Sequence, residues 1–344
     1  MNEWLTAQVS EPAVLVTVAI VEGSGPREPG AKMLVTARGQ HDTIGGGHLE
    51  MCAIELAREM LKGAASEQVA QARLERYALG PTLGQCCGGV VHLAFEIVGA
   101  SLAGVLASLR VRPREDSWRL SAIDGPPAAL LLDADGIVVG GAGEGAPTLD
   151  CARGTHVLRD ASGRRWLADP CLAPRAHLVL FGAGHVGAAI VRMLGELSCT
   201  VTWVDEREDM FPADVPANVS VEATDSPEAA VADAPSGASY LVMTHSHALD
   251  QRLCEAILSR ADVGWFGLIG SHTKRVQFER RMAARGLPQE RIADMVCPIG
   301  LPGITSKLPA AIAASVCAQL LVVWEAKQVA TLNDSEPALR LASR

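Results

Sequence analysis

A glycine-rich stretch at residues 177–205 has the residue types and the spacing to bind a phosphate group. A short apolar run leads into Gly182-Ala183-Gly184-His185-Val186-Gly187, an apolar helical pattern follows, and a second apolar run ends at Asp205. In this order of strand, loop, helix, strand and acid, G-x-G-x-x-G indicates a doubly wound nucleotide-type fold. The three glycines would permit, in turn, a sharp turn, the approach of a phosphate, and helix packing on the strand. The helix N-terminus favours an anion, and Asp205 stands where an acid usually holds a ribose hydroxyl.

A second loop, THSHALD at residues 244–250, carries His245, His247 and Asp250 after another apolar run. Imidazole and carboxylate groups suit zinc or a similar metal, but no fourth ligand is evident. In the alternative interpretation, Ser246 or Asp250 caps the following helix and the histidines form local hydrogen bonds. We favour ligand contact or a structural role over a metal site.

A third loop, GLIGSHTKR at residues 267–275, combines Gly270 and Ser271 with two cations, Lys274 and Arg275. Ser271 or Thr273 is a candidate helix cap, and positive charge at a helix N-terminus suits a phosphate. The alternative is that the hydroxyl only caps the helix and both cations face water. All three loops are expected at the carboxyl ends of the sheet strands, where doubly wound folds bind ligands.

Two adjacent cysteines, Cys86 and Cys87, lie between glycines in GQCCGG. A thiolate there suits a soft metal or sulfur transfer, since the glycines let the backbone approach a bound group. A buried cysteine packed as a small hydrophobe is an equally good interpretation. The run Gly45-Gly46-Gly47 is a second candidate anion nest, or a tight turn without a ligand.

Two common catalytic motifs are missing from the sequence. It has no G-x-S-x-G nucleophile elbow and no G-x-x-x-x-G-K-[ST] loop, which argues against serine-nucleophile chemistry and ATP hydrolysis. We name no catalytic residue and no metal ligand.

Composition limits the classes of partner. The chain has 344 residues, of which 49% are apolar and 20% charged, and its net charge of −9 argues against nucleic-acid binding. The N-terminus lacks the pattern of a signal peptide, and we expect no apolar run of the roughly 18–20 residues that span a bilayer. We therefore expect a soluble cytoplasmic protein whose nine cysteines are reduced thiols.

The elements that would position these loops indicate an α/β protein, with a Rossmann-like C-terminal domain and an α+β N-terminal domain. We expect an N-terminal α+β domain at residues 1–99, a β-rich extension at 100–170, a linker at 171–176 that overlaps the proline-bearing stretch 169–175, a Rossmann-like domain at 177–330 and a tail at 331–344. In the Rossmann-like domain, strands are expected at 178–181, 200–204, 219–223, 240–244 and 264–268, and helices at 185–197, 227–232, 250–259, 273–285 and 309–329. This alternation predicts a parallel sheet covered by helices on both faces.

Taken together, the motifs resemble the XdhC/CoxI family of xanthine dehydrogenase accessory proteins. The matching segments are GSGPREPGAKMLV (23–35), IGGGHLE (44–50), GQCCGG (84–89), FGAGHVG (181–187), VDEREDMFP (204–212), MTHSHALD (243–250), FGLIGSHTKR (266–275) and PIGLPGITSKLPAAIAASVCAQLL (298–321). One departure is Glu206, where the family more often has proline. Its negative charge beside Asp205 disfavours a bound 2′-phosphate.

The resemblance implies a cytoplasmic chaperone, not an enzyme. Such a protein binds the molybdenum cofactor, as molybdopterin or its cytidine dinucleotide, and protects it while a cysteine desulfurase installs the terminal sulfido ligand. It then delivers the cofactor to the molybdenum-binding subunit of xanthine dehydrogenase or a related hydroxylase, and a homodimer is expected. The candidate cofactor-binding residues are Gly182, Gly184, His185, Gly187, Asp205, His245, Gly270, Ser271, Lys274, Arg275, Cys86 and Cys87, with the cysteines near the metal end across an interdomain cleft.

Two alternatives remain open from the residues alone. An NAD(H)-dependent oxidoreductase would use the glycine fingerprint for NAD and His245 or His247 as acid–base. A structural protein would have an empty nucleotide fold and act through partner contacts. The sequence leaves open the client enzyme, the cofactor form and the oligomeric state.

Overall fold

The computed structural model describes residues 3–7, 11–63, 71–80 and 88–341, with side chains described up to residue 327. The chain divides into two compact units, one that ends at Ala173 and one that begins at Pro174.

The first unit is built on a five-stranded antiparallel sheet of order β3-β2-β1-β5-β4. Its elements are α1 (Glu3–Thr6), β1 (Ala13–Glu22), β2 (Lys32–Thr36), β3 (Gln40–Asp42), α2 (Gly47–Gly63), β4 (Ala72–Ala78) and β5 (Val90–Ile97). β1 is central and covered on both faces, which explains why its sequence is rich in apolar and β-branched residues. Its residues Val14, Val16 and Val18 face the core that includes α2, whereas Leu15 faces a second core.

That second core contains helix α3 (Ala100–Arg110) and part of another antiparallel sheet, of order β8-β7-β6-β10-β9. The strands are β6 (Ser117–Ala122), β7 (Ala129–Asp133), β8 (Val138–Ala142), β9 (His156–Arg159) and β10 (Arg165–Cys171). Asp169, Pro170 and Cys171 belong to β10, and Ala176 begins the next strand. The predicted linker at 171–176 is therefore wrong at both of its ends, and the wider stretch 169–175 is wrong at its first three residues. Proline is tolerated because β9 pairs with β10 only as far as Ala168, which leaves the N–H side of Pro170 without a ladder partner there.

A buried polar network joins the two sheets of this unit. Arg119 in β6 is fully buried, and its guanidinium donates to Glu96 Oε2 at 2.6 Å, Asp169 Oδ2 at 3.1 Å and Thr17 Oγ1 at 3.2 Å. Lys32 adds a second cation, with Nζ 3.1 Å from Asp169 Oδ1. The charges are paired and hydrogen-bonded, as burial requires.

The second unit contains a six-stranded sheet of order β13-β12-β11-β14-β15-β16, and each neighbouring pair is parallel. The elements are β11 (Ala176–Phe181), α4 (His185–Leu194), β12 (Cys199–Asp205), a 3₁₀ turn (Glu208–Met210), β13 (Val219–Ala223), α5 (Glu228–Asp233), β14 (Ser239–Val242), α6 (His247–Ser259), β15 (Trp265–Leu268), α7 (His272–Ala284), α8 (Gln289–Ala293), β16 (Met295–Val296) and α9 (Pro309–Leu341). Helices α4 and α9 pack on one face, and α5 to α8 on the other. The doubly wound fold predicted from the alternation is confirmed.

Helix α9 departs from the prediction in two ways. It runs on to Leu341, past the predicted end at 329 and through most of the predicted tail. Its first 19 residues, Pro309–Lys327, have a mean hydropathy of 1.5 and are long enough to cross a membrane, so the expectation of no such run is wrong by composition. The core helix of a soluble protein passes the same test, and α9 contributes Ala313, Val316 and Leu320 to the core beside α4.

Candidate functional site

The loop between β11 and α4 uses its three glycines differently. Gly182 has φ +117°, and a Cβ there would overlap the carbonyl oxygen of Met243. A Cβ on Gly187 would overlap the carbonyl oxygen of Gly182, so the third glycine lets the helix fold back against its own loop. A Cβ on Gly184, which precedes the first residue of α4, would meet nothing within 4 Å. The open side of the loop therefore lies above Gly184.

The acid at the end of β12 braces this loop. Asp205 Oδ2 accepts a hydrogen bond from the Ala183 N–H at 2.7 Å, and Arg207 Nη2 lies 3.0 Å from the same oxygen. Oδ1 accepts from the backbone N–H of Arg207 at 3.0 Å and from its Nε at 2.9 Å. Burial raises the pKa of Asp205, but these hydrogen bonds outweigh it and hold the pKa below its usual value.

An open groove of about 390 Å³ lies over the glycine loop. It is lined by Gly184, His185, Val186, Gly187, Met243, Thr244, Ile269 and Pro309. The groove sits between the carboxyl ends of β11 and β14, where the strand order reverses from β11-β12-β13 to β14-β15-β16. Ligands of open α/β sheets bind at this switch point, and the volume falls in the range of small-molecule sites.

A smaller cavity of about 10 Å³ lies beside Asp205. It is lined by Phe181, Val204, Asp205, Glu206, Pro227, Thr244, His245 and Leu249. Its volume is close to the least that holds a single water molecule.

A buried ion pair ties the second predicted loop to the third. Asp250 is fully buried, and its Oδ2 lies 2.6 Å from Lys274 Nζ, which also donates to the Ile269 carbonyl at 2.9 Å. Its Oδ1 accepts from the hydroxyl of Thr244 at 2.7 Å and from the Thr244 N–H at 3.1 Å. Asp250 therefore connects the two loops and does not cap the helix. Ser246 caps α6, because its side chain accepts a hydrogen bond from the Leu249 N–H.

The third loop is arranged in a similar way. Ser271 caps α7 by accepting from the Lys274 N–H, as the sequence suggested. Arg275 is partly exposed but paired: its Nε lies 2.7 Å from Glu279 Oε1 and its Nη1 donates to the Cys297 carbonyl at 3.1 Å. Both predicted phosphate-binding cations are therefore engaged with protein groups.

The histidines of these loops, His185, His245, His247 and His272, are all exposed. His185 lines the groove and His245 lines the small cavity. The ring of His247 meets the ring of Phe278 edge-on, with centroids 6.4 Å apart. Across the part of the chain that the structure describes, no three histidine, cysteine or acidic side chains are grouped to hold a metal ion.

In the first unit, the candidate nest Gly45-Gly46-Gly47 has three successive positive φ angles. The carboxylate of Glu50 fills it, since its Oε2 accepts from the N–H groups of Ile44 and Gly46 at 3.1 Å and from the Thr43 hydroxyl. The nest is a turn that holds its own anion. Cys86 and Cys87 lie outside the described residues.

Sequence reasoning missed Arg207 and the partnership of Asp250 with Lys274. An arginine two residues after the acid of a glycine-loop fold was a visible signal. No local pattern signals the second pair, because its members are 24 residues apart.

Comparisons with known proteins agree with the fold. A family model described as the XdhC Rossmann domain matches residues 178–320, and one described as the XdhC and CoxI family matches residues 7–77. Together they cover more than half of the chain. YqeB, an uncharacterized protein of Escherichia coli K12, is 30% identical over 150 residues, which are 43% of this chain and 27% of that protein. A solved structure from Bacillus halodurans, described as a xanthine dehydrogenase, superposes with a TM-score of 0.72 over 94% of both chains at 20% identity.

Proposed function

The chain belongs to the XdhC/CoxI family, and from that membership we propose that it is an accessory factor in the maturation of xanthine dehydrogenase or a related molybdenum hydroxylase. In this role it binds the molybdenum cofactor as cargo and performs no turnover of its own. It protects the cofactor while a cysteine desulfurase installs the terminal sulfido ligand, and then delivers it to the apo-enzyme.

The observation that carries the proposal is the open side of the glycine loop. Gly184 is the one glycine of the three where a side chain would fit, and the space a Cβ would fill opens to the groove of about 390 Å³. Molybdopterin carries a phosphate, which suits the N–H groups at the start of α4, since the first turn of a helix leaves such donors unpaired. The groove has the size for a ring system beyond that phosphate.

The other candidate residues take different parts in this proposal. Gly182, Gly187 and Asp205 shape the loop, while Gly184 and His185 contact the cargo. Lys274 and Arg275 position the neighbouring loop, because their charged groups are bound to Asp250 and Glu279. Gly270 and Ser271 form the start of α7 at the same sheet edge. Cys86 and Cys87 remain candidates for the metal end.

The partners follow from the same role. We propose contact with the molybdenum-binding subunit of the client and with a cysteine desulfurase, in the cytoplasm, by a homodimer. The acidic balance of the chain disfavours nucleic acid as a partner.

A maturation assay tests the proposal. The client hydroxylase is produced with the wild-type chain, with Gly184→Asp, and with Gly154→Asp, a control at an exposed glycine whose Cβ also meets nothing within 4 Å. We expect active client with the wild type and the control, and a loss of most activity with Gly184→Asp. Full client activity with Gly184→Asp would contradict cargo binding at this loop.

The glycine fingerprint and the strand order also favour an NAD(H)-dependent oxidoreductase. Saturable NADH binding by the wild-type chain, with turnover that depends on His245 or His247, would support that function over the accessory role.

A further inference from the structure

The carboxylate of Asp205 has no free acceptor position for a ribose hydroxyl. In dinucleotide folds the acid at this position accepts hydrogen bonds from a ribose hydroxyl. A carboxylate offers about four lone-pair positions. Here four N–H donors fill them, namely those of Ala183 N, Arg207 N, Arg207 Nε and Arg207 Nη2, at 2.7–3.0 Å.

Three of those four donors belong to one residue. The Arg207 side chain places Nε and Nη2 on different oxygens of Asp205, a two-point contact that fixes the guanidinium plane. The side chain of Asp205 is only 3% exposed beneath it. Arg207 therefore supplies most of the donors that a ribose hydroxyl would have to replace.

The space on the two sides of the switch point is unequal. On the Asp205 side, where a nucleoside would lie, the cavity measures about 10 Å³. On the side of Met243, Ile269 and Pro309 the groove measures about 390 Å³. For a ligand held at the glycine loop, the larger space therefore lies on the second side.

We propose that Arg207 is a specificity-determining residue that closes the nucleoside half of this site, so that the glycine loop takes a ligand with a single phosphate and rejects dinucleotides. The inference rests on the proposed function for the nature of the ligand. It deepens that function by favouring the molybdopterin form of the cargo over its cytidine dinucleotide, and by excluding NAD(H).

Calorimetric titration of the full chain with NADH and with cytidine diphosphate tests the proposal. The proteins are the wild type, Arg207→Ala, Arg207→Gln as a second variant, and Arg252→Ala as a control that removes an arginine from an exposed ion pair with Glu228. We expect no saturable binding by the wild type or the control. Either Arg207 variant should bind both probes at least about tenfold more tightly, the scale of one hydrogen bond to a charged group.

Two results would overturn the inference: wild-type protein that binds either probe as tightly as the Arg207 variants, or folded variants that gain no affinity. The pterin content of the wild-type chain is measured on the same preparation. If the Arg207 variants gain affinity for the probes but the wild-type protein lacks pterin, the cargo assignment is wrong and the role of Arg207 is supported. If the wild-type protein carries pterin and also binds cytidine diphosphate tightly, the cargo assignment is supported and the role of Arg207 is wrong.

Discussion

At the residue scale, the glycine loop shows that one motif can combine fold and function in separate positions. Gly182 and Gly187 are required by the backbone, because a Cβ at either would overlap a carbonyl oxygen. Gly184 is required by neither backbone angle nor packing. A side chain at position 184 would therefore affect a ligand bound in the groove and not the fold of the loop.

This difference leads to a stability prediction. We expect Gly182→Ala and Gly187→Ala each to lower the free energy of unfolding by about 1–3 kcal/mol, through strain and overlap. Gly184→Ala should stay within about 0.5 kcal/mol of the wild type. Urea unfolding measures all three, and a Gly187→Ala protein as stable as the wild type would contradict the geometry.

The described cysteines differ in burial: four are buried, Cys151 is exposed, and Cys52 and Cys171 are intermediate. Burial raises the pKa of the Cys199 and Cys317 thiols to about 11, and it raises the pKa of Cys254 and Cys297 as well.

Thiol labelling at pH 8 should follow this separation, because only the accessible thiolate reacts. We expect Cys151 to be modified quickly, and the four buried thiols only after denaturant is added. Mass spectrometry of the labelled peptides identifies each site. Rapid modification of Cys199 or Cys317 in the native protein would show that the packing beside α4 and α9 is wrong.

At the element scale, the ion pair between Asp250 and Lys274 fixes the loop after β14 against the loop after β15. Removing one partner of a buried pair leaves an uncompensated charge. We expect Lys274→Met to lower the free energy of unfolding by about 3–5 kcal/mol, and the double variant Asp250→Asn/Lys274→Met to recover part of it.

The matched control is Arg252→Met, which breaks an exposed pair and should cost no more than about 1 kcal/mol. Equal losses for Lys274→Met and Arg252→Met in urea unfolding would show that the Asp250 pair is not buried.

The buried network around Arg119 connects the two sheets of the first unit, and we expect its contribution to stability to depend on pH. Burial raises the pKa of Asp169, but the nearby charges of Lys32 and Arg119 lower it by a larger amount. The pKa of Asp169 therefore lies below its usual value. A carboxyl group with a lowered folded-state pKa adds stability above its unfolded value of about 3.9, and this stability is lost as the pH falls through the folded value.

We therefore expect the free energy of unfolding to decrease as the pH drops below about 4. The Asp169→Asn variant should be less stable than the wild type at pH 7, and its free energy of unfolding should change less between pH 7 and pH 3. Urea unfolding between pH 3 and pH 7 measures both. An unchanged acid slope in the variant would place the titrating group elsewhere.

The sequence predicted those elements that have a clear period and missed contacts that form across distance. The central strands of the parallel sheet, β11, β14 and β15, are largely apolar because both of their faces are covered, so they were visible. Asp169 and Pro170 suggested a linker, since the partners that let a charged residue enter β10, Arg119 and Lys32, lie far away in the chain. The contact between Asp205 and Arg207 is local, since the two residues are only two apart. Spacing locates the acid, but it does not show that this arginine turns back onto the carboxylate.

At the scale of the whole molecule, we propose a carrier. An acidic chain presents a groove of about 390 Å³ at the switch point of a doubly wound sheet, and the glycine loop lines that groove. In the described residues, the acids and cations of the neighbouring loops are bound to one another. In the proposed carrier, these pairs hold the loops in place around the cargo.

The central claim is that the glycine loop binds the molybdenum cofactor. The most direct measurement is anaerobic purification of the full chain from cells with an intact cofactor pathway, followed by oxidation, fluorescence detection of released pterin, and molybdenum analysis. We expect pterin and molybdenum close to one per chain in the wild type and in Gly154→Asp, and neither in a folded Gly184→Asp. Wild-type protein without pterin, or Gly184→Asp that retains it, would contradict the account.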